Sequence, residues 1–317
     1  MTLQILILIA GLFLIVGGAE ILVDGSSSLA RKMGISEFVI GLTIVGMGTS
    51  APEMVVSFIG AVNGNADISI GNVVGSNIMN TLLIAGLTAV ILPIAISREN
   101  RKVDIPVNIF IVALLFVLGM NRSLFGKGDN MLSRVDGAVM LLVFLTYMVW
   151  TFVKGKGNAP EAGAKTLGTG ISILMTVGGI AALIFGGRLF VNSATAIAKM
   201  AGVSDKFIAL TILAGGTSMP ELATCVVAAI RKKGALALGN VIGSNIFNVL
   251  FILGGSALIR PMSMASMNMV DFGVLALSSL LLLLACFTGP NNRIDRFDGT
   301  VFLLTEAGYL AWLFLTI

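Results

Sequence analysis

Stretches of about twenty apolar residues recur from one end of this chain of 317 residues to the other, and nothing constrains its fold more. Wound as an α-helix, such a stretch spans the ~30 Å hydrocarbon core of a bilayer. No water is available there, so backbone amides must be satisfied internally, by helices or by a closed barrel. The runs do not alternate every second residue, as barrel strands do. Only 11% of residues are charged, against about 25% in a soluble domain, and mean hydropathy is +1.01. The chain is therefore expected to be an all-α polytopic membrane protein without a soluble domain. Spans are predicted at 3–29, 37–62, 68–93, 104–120, 136–153, 169–198, 205–230, 235–258, 270–288 and 298–316. The opening run, MTLQILILIAGLFLIVGG, lacks a basic leader and is too long for a signal peptide, so it is expected to be retained as the first helix.

One linker stands out, KGKGNAPEAGAKTLG at 154–168, which divides the chain into 1–153 and 169–317. These halves are related. Placing residue n on n+168 aligns GLTIVGMGTSAPE (41–53) with ALTILAGGTSMPE (209–221), and GNVVGSNIMN (71–80) with GNVIGSNIFN (239–248). Chance similarity between apolar segments does not align polar residues in two separate blocks. Duplication of this kind is a known transporter plan. Each half carries five spans, an odd number, so the second lies upside down relative to the first. The expected fold is ten transmembrane helices as two inverted five-helix repeats.

Basic residues orient it. With the N-terminus outside, Arg31, Lys32, Arg98, Arg101, Lys102, Lys154, Lys156, Lys165, Arg231, Lys232, Lys233, Arg293 and Arg296 share the inner side. Arg122, Lys127, Arg134, Lys199, Lys206 and Arg260 fall outside. The excess favours both termini outside. It also accounts for the net charge of +4 without a nucleic-acid partner. Histidine is absent, removing the commonest general base and transition-metal ligand. Cys225 and Cys286 lie in apolar segments and are expected to be core residues without a disulfide.

Glu53 is the anomaly that points to function. A charged side chain at mid-membrane costs roughly 3 kcal/mol on insertion scales, so it needs a cavity and a partner. Pro52 lacks an N–H and its ring clashes with the carbonyl of Gly48, while Gly46 and Gly48 weaken the helix further. The freed carbonyls must line a ligand site. Thr49 and Ser50 add hydroxyls within a turn, and Thr217, Ser218 and Glu221 behind Pro220 repeat the set. The two broken helices are expected to cross near the midplane. Such hard oxygens suit calcium, which takes six to eight of them, and sodium accepts the same atoms. Two carboxylates balance one Ca2+ or two Na+, and competition for shared ligands is the basis of exchange.

Ser76 and Asn80 share one helical face, as do Ser244 and Asn248, and are read as further ligands. Asn72, Asn77, Asn240 and Asn245 fit either ligation or helix–helix contact. Glu20 and Arg188, with Asp24 and Asn192, occupy equivalent positions and sit near helix ends or line the ion path.

The paired GTS(x)PE and GN(x)(x)GSN(x)(x)N motifs resemble the α-repeats of the cation/calcium exchanger superfamily, specifically the sodium/calcium exchangers of the short prokaryotic type, along essentially the whole chain. The resemblance implies alternating-access antiport of Ca2+ against Na+ at one midplane site in the cell (inner) membrane. Both ions are substrates; no cofactor is implied, and a monomer is expected to suffice. Carried over by motif, Glu53 and Glu221 are the central ligands, with oxygens from Thr49, Ser50, Thr217 and Ser218. Ser76 and Ser244 support outlying sodium positions, and Asn80 and Asn248 complete the middle. The carbonyls of Gly46 and Ala214 are further sodium ligands. The first and sixth helices are implied to slide against the bundle, and Gly17, Gly18, Gly186 and Gly187 suit such contact. Some members carry Asp where this chain has Asn248, which argues against a third cation such as K+. Ca2+/H+ exchange through the same glutamates stays open. A channel would need a continuous pore, and an enzyme a nucleophile with an adjacent base; the sequence favours neither.

Overall fold

The computed structural model describes residues 1–120, 126, 129–155, 167–202, 214–264, 267–288 and 292–316. The first apolar run is one helix, α1 (Thr2–Met33), and its end is chemically marked. Gly34 takes the left-handed conformation at φ 66°, and its N–H returns to the Ala30 and Arg31 carbonyls. Arg31 and Lys32 in the last turn face the negative end of the helix dipole. The chain continues through α2 (Glu37–Thr49), α3 (Ala51–Val62), α4 (Ala66–Ile91), α5 (Asn100–Gly119) and α6 (Arg134–Lys154). After the linker come α7 (Thr169–Met200), α8 (Met219–Ile230), α9 (Gly234–Ile259), α10 (Met269–Thr288) and α11 (Arg296–Thr316).

Among the described residues, eight single helices are long and apolar enough to cross a bilayer. α2 and α3, bent by 49° at Ser50, make a ninth crossing if taken as one broken span. α8 is shorter, and the predicted span 205–230 lies partly outside the described residues. The fold is mostly helical, but the all-α expectation needs a correction. Two antiparallel ribbons pair β1 (Ile94–Ala95) with β4 (Arg293–Ile294), and β2 (Met131–Leu132) with β3 (Met262–Ser263). Interhelical loops thereby satisfy backbone groups that no helix serves.

α1 and α7 are the longest helices, at 32 residues each, and they pack along a seam of glycines. A Cβ on Gly18 would lie 2.9 Å from Ala182 Cβ and 3.0 Å from Leu183 N; one on Gly179 would lie 2.7 Å from Leu22 N. Gly11, Gly25 and Gly186 are equally tight. Of the glycines expected at this contact, Gly18 and Gly186 are in it, whereas Gly17 and Gly187 meet nothing within 4 Å. The seam recurs every seven residues on α1, so a neighbour one residue away points about 100° off it.

α9 is the most enclosed helix, buried along almost its whole length. Gly239 and Gly243 let it meet α2 backbone to backbone, where added Cβ atoms would overlap the Phe38 and Leu42 carbonyls. Cys225 and Cys286 are free and buried.

Candidate cation-binding centre

The break between α2 and α3 falls at Ser50 (φ −80°, ψ 10°), and a matching one falls at Ser218 (φ −86°, ψ 7°). Pro52 and Pro220 stand in the first positions of α3 and α8, where a missing N–H is no loss. The prolines thus open new helices where the sequence suggested a mid-helix clash. Glu53 and Glu221 follow in the first turn of each, at the positive end of a helix dipole. Both side chains are about 1% exposed.

Each carboxylate is held by the serine of the other break. Ser50 Oγ donates to Glu221 Oε1 at 2.7 Å, and Ser218 Oγ donates to Glu53 Oε1 at 3.1 Å. Ser76 Oγ adds a longer contact to Glu53 Oε1 at 3.4 Å and lies 3.3 Å from Ser218 Oγ. The two acidic groups are near enough to interact electrostatically. Only one oxygen of each is engaged. Glu53 Oε2 and Glu221 Oε2 are buried without a hydrogen-bond partner among the described residues. The same holds for Asn248 Oδ1 and for both polar atoms of Asn80. Leaving a buried polar group unsatisfied costs about 1–3 kcal/mol, and more when it is charged. Such a set of bare oxygens is what a hard cation removes. Among the described residues no three His, Cys, Asp or Glu come together, so an ion here would rest on two carboxylates and neutral oxygens.

The remaining expected ligands are placed unevenly. Thr49 Oγ1 lies 3.0 Å from the Val45 carbonyl and 3.1 Å from Asn240 Oδ1. Ser244 Oγ donates to the Gly46 carbonyl at 3.2 Å, and that carbonyl also accepts the Ser50 N–H at 3.1 Å. Thr217, half-buried, lies 3.5 Å from Asn72 Oδ1. Ala214 opens the short helical turn Ala214–Gly216, and residues 203–213 before it lie outside the described residues.

The asparagines left open by the sequence brace the centre. Asn72 Nδ2 donates to the Glu53 carbonyl at 3.1 Å and to Ser57 Oγ at 3.0 Å. Asn77 Nδ2 donates to the Asn245 carbonyl at 3.1 Å, and Asn245 Nδ2 to Thr81 Oγ1 at 2.9 Å. Asn248 Nδ2 donates to Asn77 Oδ1 at 3.1 Å, which orients its free Oδ1. Sequence reasoning missed that Asn80 and Asn248 lie in wide π-helical turns, Asn80–Ile84 and Phe247–Leu253. No residue type marks such turns, which are frequent at functional sites.

Of the other intramembrane charges, Arg188 and Asn192 line a cavity of about 320 Å3 with Pro52, Asn72, Thr217 and Pro220. Glu20 and Asp24 do something else: they pair with Arg231 (3.4 Å) and Lys233 (3.3 Å).

A family model described as sodium/calcium exchanger protein matches residues 3–153 and 171–315. The sodium/calcium exchanger MaX1 of Methanosarcina acetivorans is 33% identical, over 99% of this chain and 99% of its own. The inner membrane protein YrbG of Escherichia coli is 32% identical, over 99% of this chain and 96% of its own. The solved structure of the sodium-calcium exchanger NCX_Mj soaked with 10 mM Na+ and zero Ca2+ superposes with a TM-score of 0.86 at 34% identity, covering 98% of both chains. Two helix breaks, each delivering a buried carboxylate to the serine of the other, thus coincide with similarity along nearly the full chain, and the protein belongs to the sodium/calcium exchanger family.

Proposed function

We propose that this protein is a secondary-active Na+/Ca2+ antiporter that extrudes Ca2+ from the cytoplasm down the sodium gradient. The observation that carries this reading is the reciprocal pairing of Ser50 with Glu221 and of Ser218 with Glu53, which leaves one oxygen of each carboxylate bare. Glu53 Oε2, Glu221 Oε2, Asn80 and Asn248 Oδ1 form the Ca2+ ligand set. Two carboxylates neutralise the dication; Asn80 and Asn248 supply neutral oxygens. Sodium takes the carboxylates in turn, with Ser76, Ser244, Thr49, Thr217 and the Gly46 and Ala214 carbonyls at outlying positions. One set of acceptors cannot satisfy both loads, so binding of one ion displaces the other.

Access alternates as α1 and α7 move together against the remaining helices. α7 lies against both breaks, with Ile180 beside Gly48 and Val191 beside Gly216, so its displacement covers or uncovers the centre. The architecture we infer is ten crossings in two inverted halves, 1–153 and 169–317, with both termini outside the cell membrane and a monomer as the working unit. If more than two Na+ enter per Ca2+, exchange is electrogenic, and each net charge draws about 2.3 kcal/mol per 100 mV. The test is 45Ca uptake into proteoliposomes loaded with Na+. Uptake should follow the Na+ gradient and vanish in Glu53→Gln and Glu221→Gln. Uptake that ignores Na+ and follows a pH gradient would assign Ca2+/H+ exchange instead.

A further inference from the structure

α11 carries an acidic residue that the centre described above does not use. Glu306 lies within the apolar helix Arg296–Thr316 and is only 3% exposed. Its Oε2 is buried and has no hydrogen-bond partner among the described residues. It lines a cavity of about 520 Å3 whose other walls are mostly apolar, among them Met79, Leu83, Phe190 and Phe314. The same cavity reaches Gly215, Gly216 and Ser218. Ser218 is the residue whose hydroxyl holds Glu53. A bare carboxylate in an apolar chamber beside the ion centre is thus unexplained by packing.

An ionised carboxylate out of water costs several kcal/mol unless an opposite charge accompanies it. Inside membranes such groups pair with one another, with backbone, or mark a route for ions. No ion pair serves Glu306 among the described residues. The compensating charge must then come from beyond the described residues, and a dissolved cation can supply it. One carboxylate neutralises a monovalent cation but leaves a divalent one half compensated. The chamber is also large enough for the ion to keep part of its water shell.

We propose that Glu306 forms a sodium-binding antechamber, a cation position distinct from those around Glu53 and Glu221, from which Na+ passes by Ser218 into the centre. The inference deepens the exchange reading and rests on it, yet its primary test needs no transport. Equilibrium binding of 22Na+ to the purified full chain in detergent should show one Na+ fewer per chain in Glu306→Gln. Glu306→Asp should keep the count with weaker affinity, which separates a lost ligand from a damaged fold. In proteoliposomes, half-saturating Na+ for Ca2+ exchange should rise at least threefold in Glu306→Gln. An equal Na+ count in wild type and Glu306→Gln, with half-saturation within twofold, overturns the proposal. So does a variant altered only in the pH dependence of flux, which would make the cargo at Glu306 a proton. Wild type that binds the extra Na+ but shows no Na+-driven Ca2+ flux would sink the exchange reading and leave this site standing.

Discussion

Gly17 and Gly179 should respond in opposite directions to the same substitution. Alanine is favoured over glycine in a helix by about 1 kcal/mol. At Gly17 nothing lies within 4 Å of the new Cβ, so that gain is unopposed. At Gly179 the Cβ would meet three main-chain atoms: Leu22 N at 2.7 Å, Gly18 O at 2.8 Å and Leu22 Cα at 2.8 Å. Ordinary contact starts at 3.4 Å, so α1 and α7 must separate by about 0.7 Å (3.4 − 2.7). Main chain cannot rotate aside as a side chain does. Overpacking of this kind costs about 1–3 kcal/mol, and the propensity gain offsets about 1. The two variants should therefore differ by roughly 1–3 kcal/mol, with Gly17→Ala the more stable. Thermal unfolding in one detergent, followed by tryptophan fluorescence, reads the difference. If the pair moves as a unit, as proposed, the separated seam should also slow 45Ca exchange in Gly179→Ala. A Gly179→Ala protein that melts at or above Gly17→Ala would refute the seam as the contact that sets helix spacing.

Ser50→Ala should destabilise the ion-free protein by about 1.5–3 kcal/mol, the range for a hydrogen bond to a charged group. Ser218→Ala should cost less, because its bond to Glu53 is longer, 3.1 Å against 2.7 Å; thermal melting in chelator compares them. Calcium at a hundredfold its dissociation constant should stabilise wild type by about 2.7 kcal/mol, and the shift should disappear in Glu53→Gln and Glu221→Gln. Arg188 lines the 320 Å3 cavity with Asn72 and Thr217, and if cations enter there its charge opposes them. Arg188→Gln should speed cation entry at low ionic strength, an advantage that 0.15 M salt reduces.

The sequence announces the centre because its residues break local rules. Pro52 and Pro220 inside apolar runs, each followed by glutamate, are legible without partners. So is the alignment of polar residues across the two halves, which names Ser50, Ser218, Asn80 and Asn248 together. What depends on helix phase is not legible. Gly17 and Gly18 are equivalent in sequence, and only the direction of α7 decides which one it touches. The π-helical turns at Asn80–Ile84 and Phe247–Leu253 arise where tertiary packing widens a helix, and no residue type encodes them. Sequence reasoning missed Glu306, an ionisable residue in an apolar run, because it has no counterpart motif in the other half. Glu20 and Asp24 resemble path residues until Arg231 and Lys233 are seen beside them.

Those last pairs break the symmetry that the centre obeys. By the 168-residue offset, Glu20, Asp24, Arg231 and Lys233 correspond to Arg188, Asn192, Asn63 and Asn65. The first set forms two ion pairs, and Lys233 Nζ also donates to the Val23 carbonyl at 3.3 Å. The second set holds a single charge, so it has no ion pair to form. If alternating access exchanges the roles of the halves, only one end state keeps α1 tied to the loop after α8. Exposed pairs contribute about 0.2–1 kcal/mol each, so two bias the equilibrium between states by roughly twofold to thirtyfold. Replacing Arg231 and Lys233 by Asn, the residues of the other half, should remove that bias. Distances between spin labels on α1 and α9 should then populate both states in ion-free protein, where wild type favours one. Unchanged distance distributions would mean that the pairs anchor a loop and play no part in choosing the state.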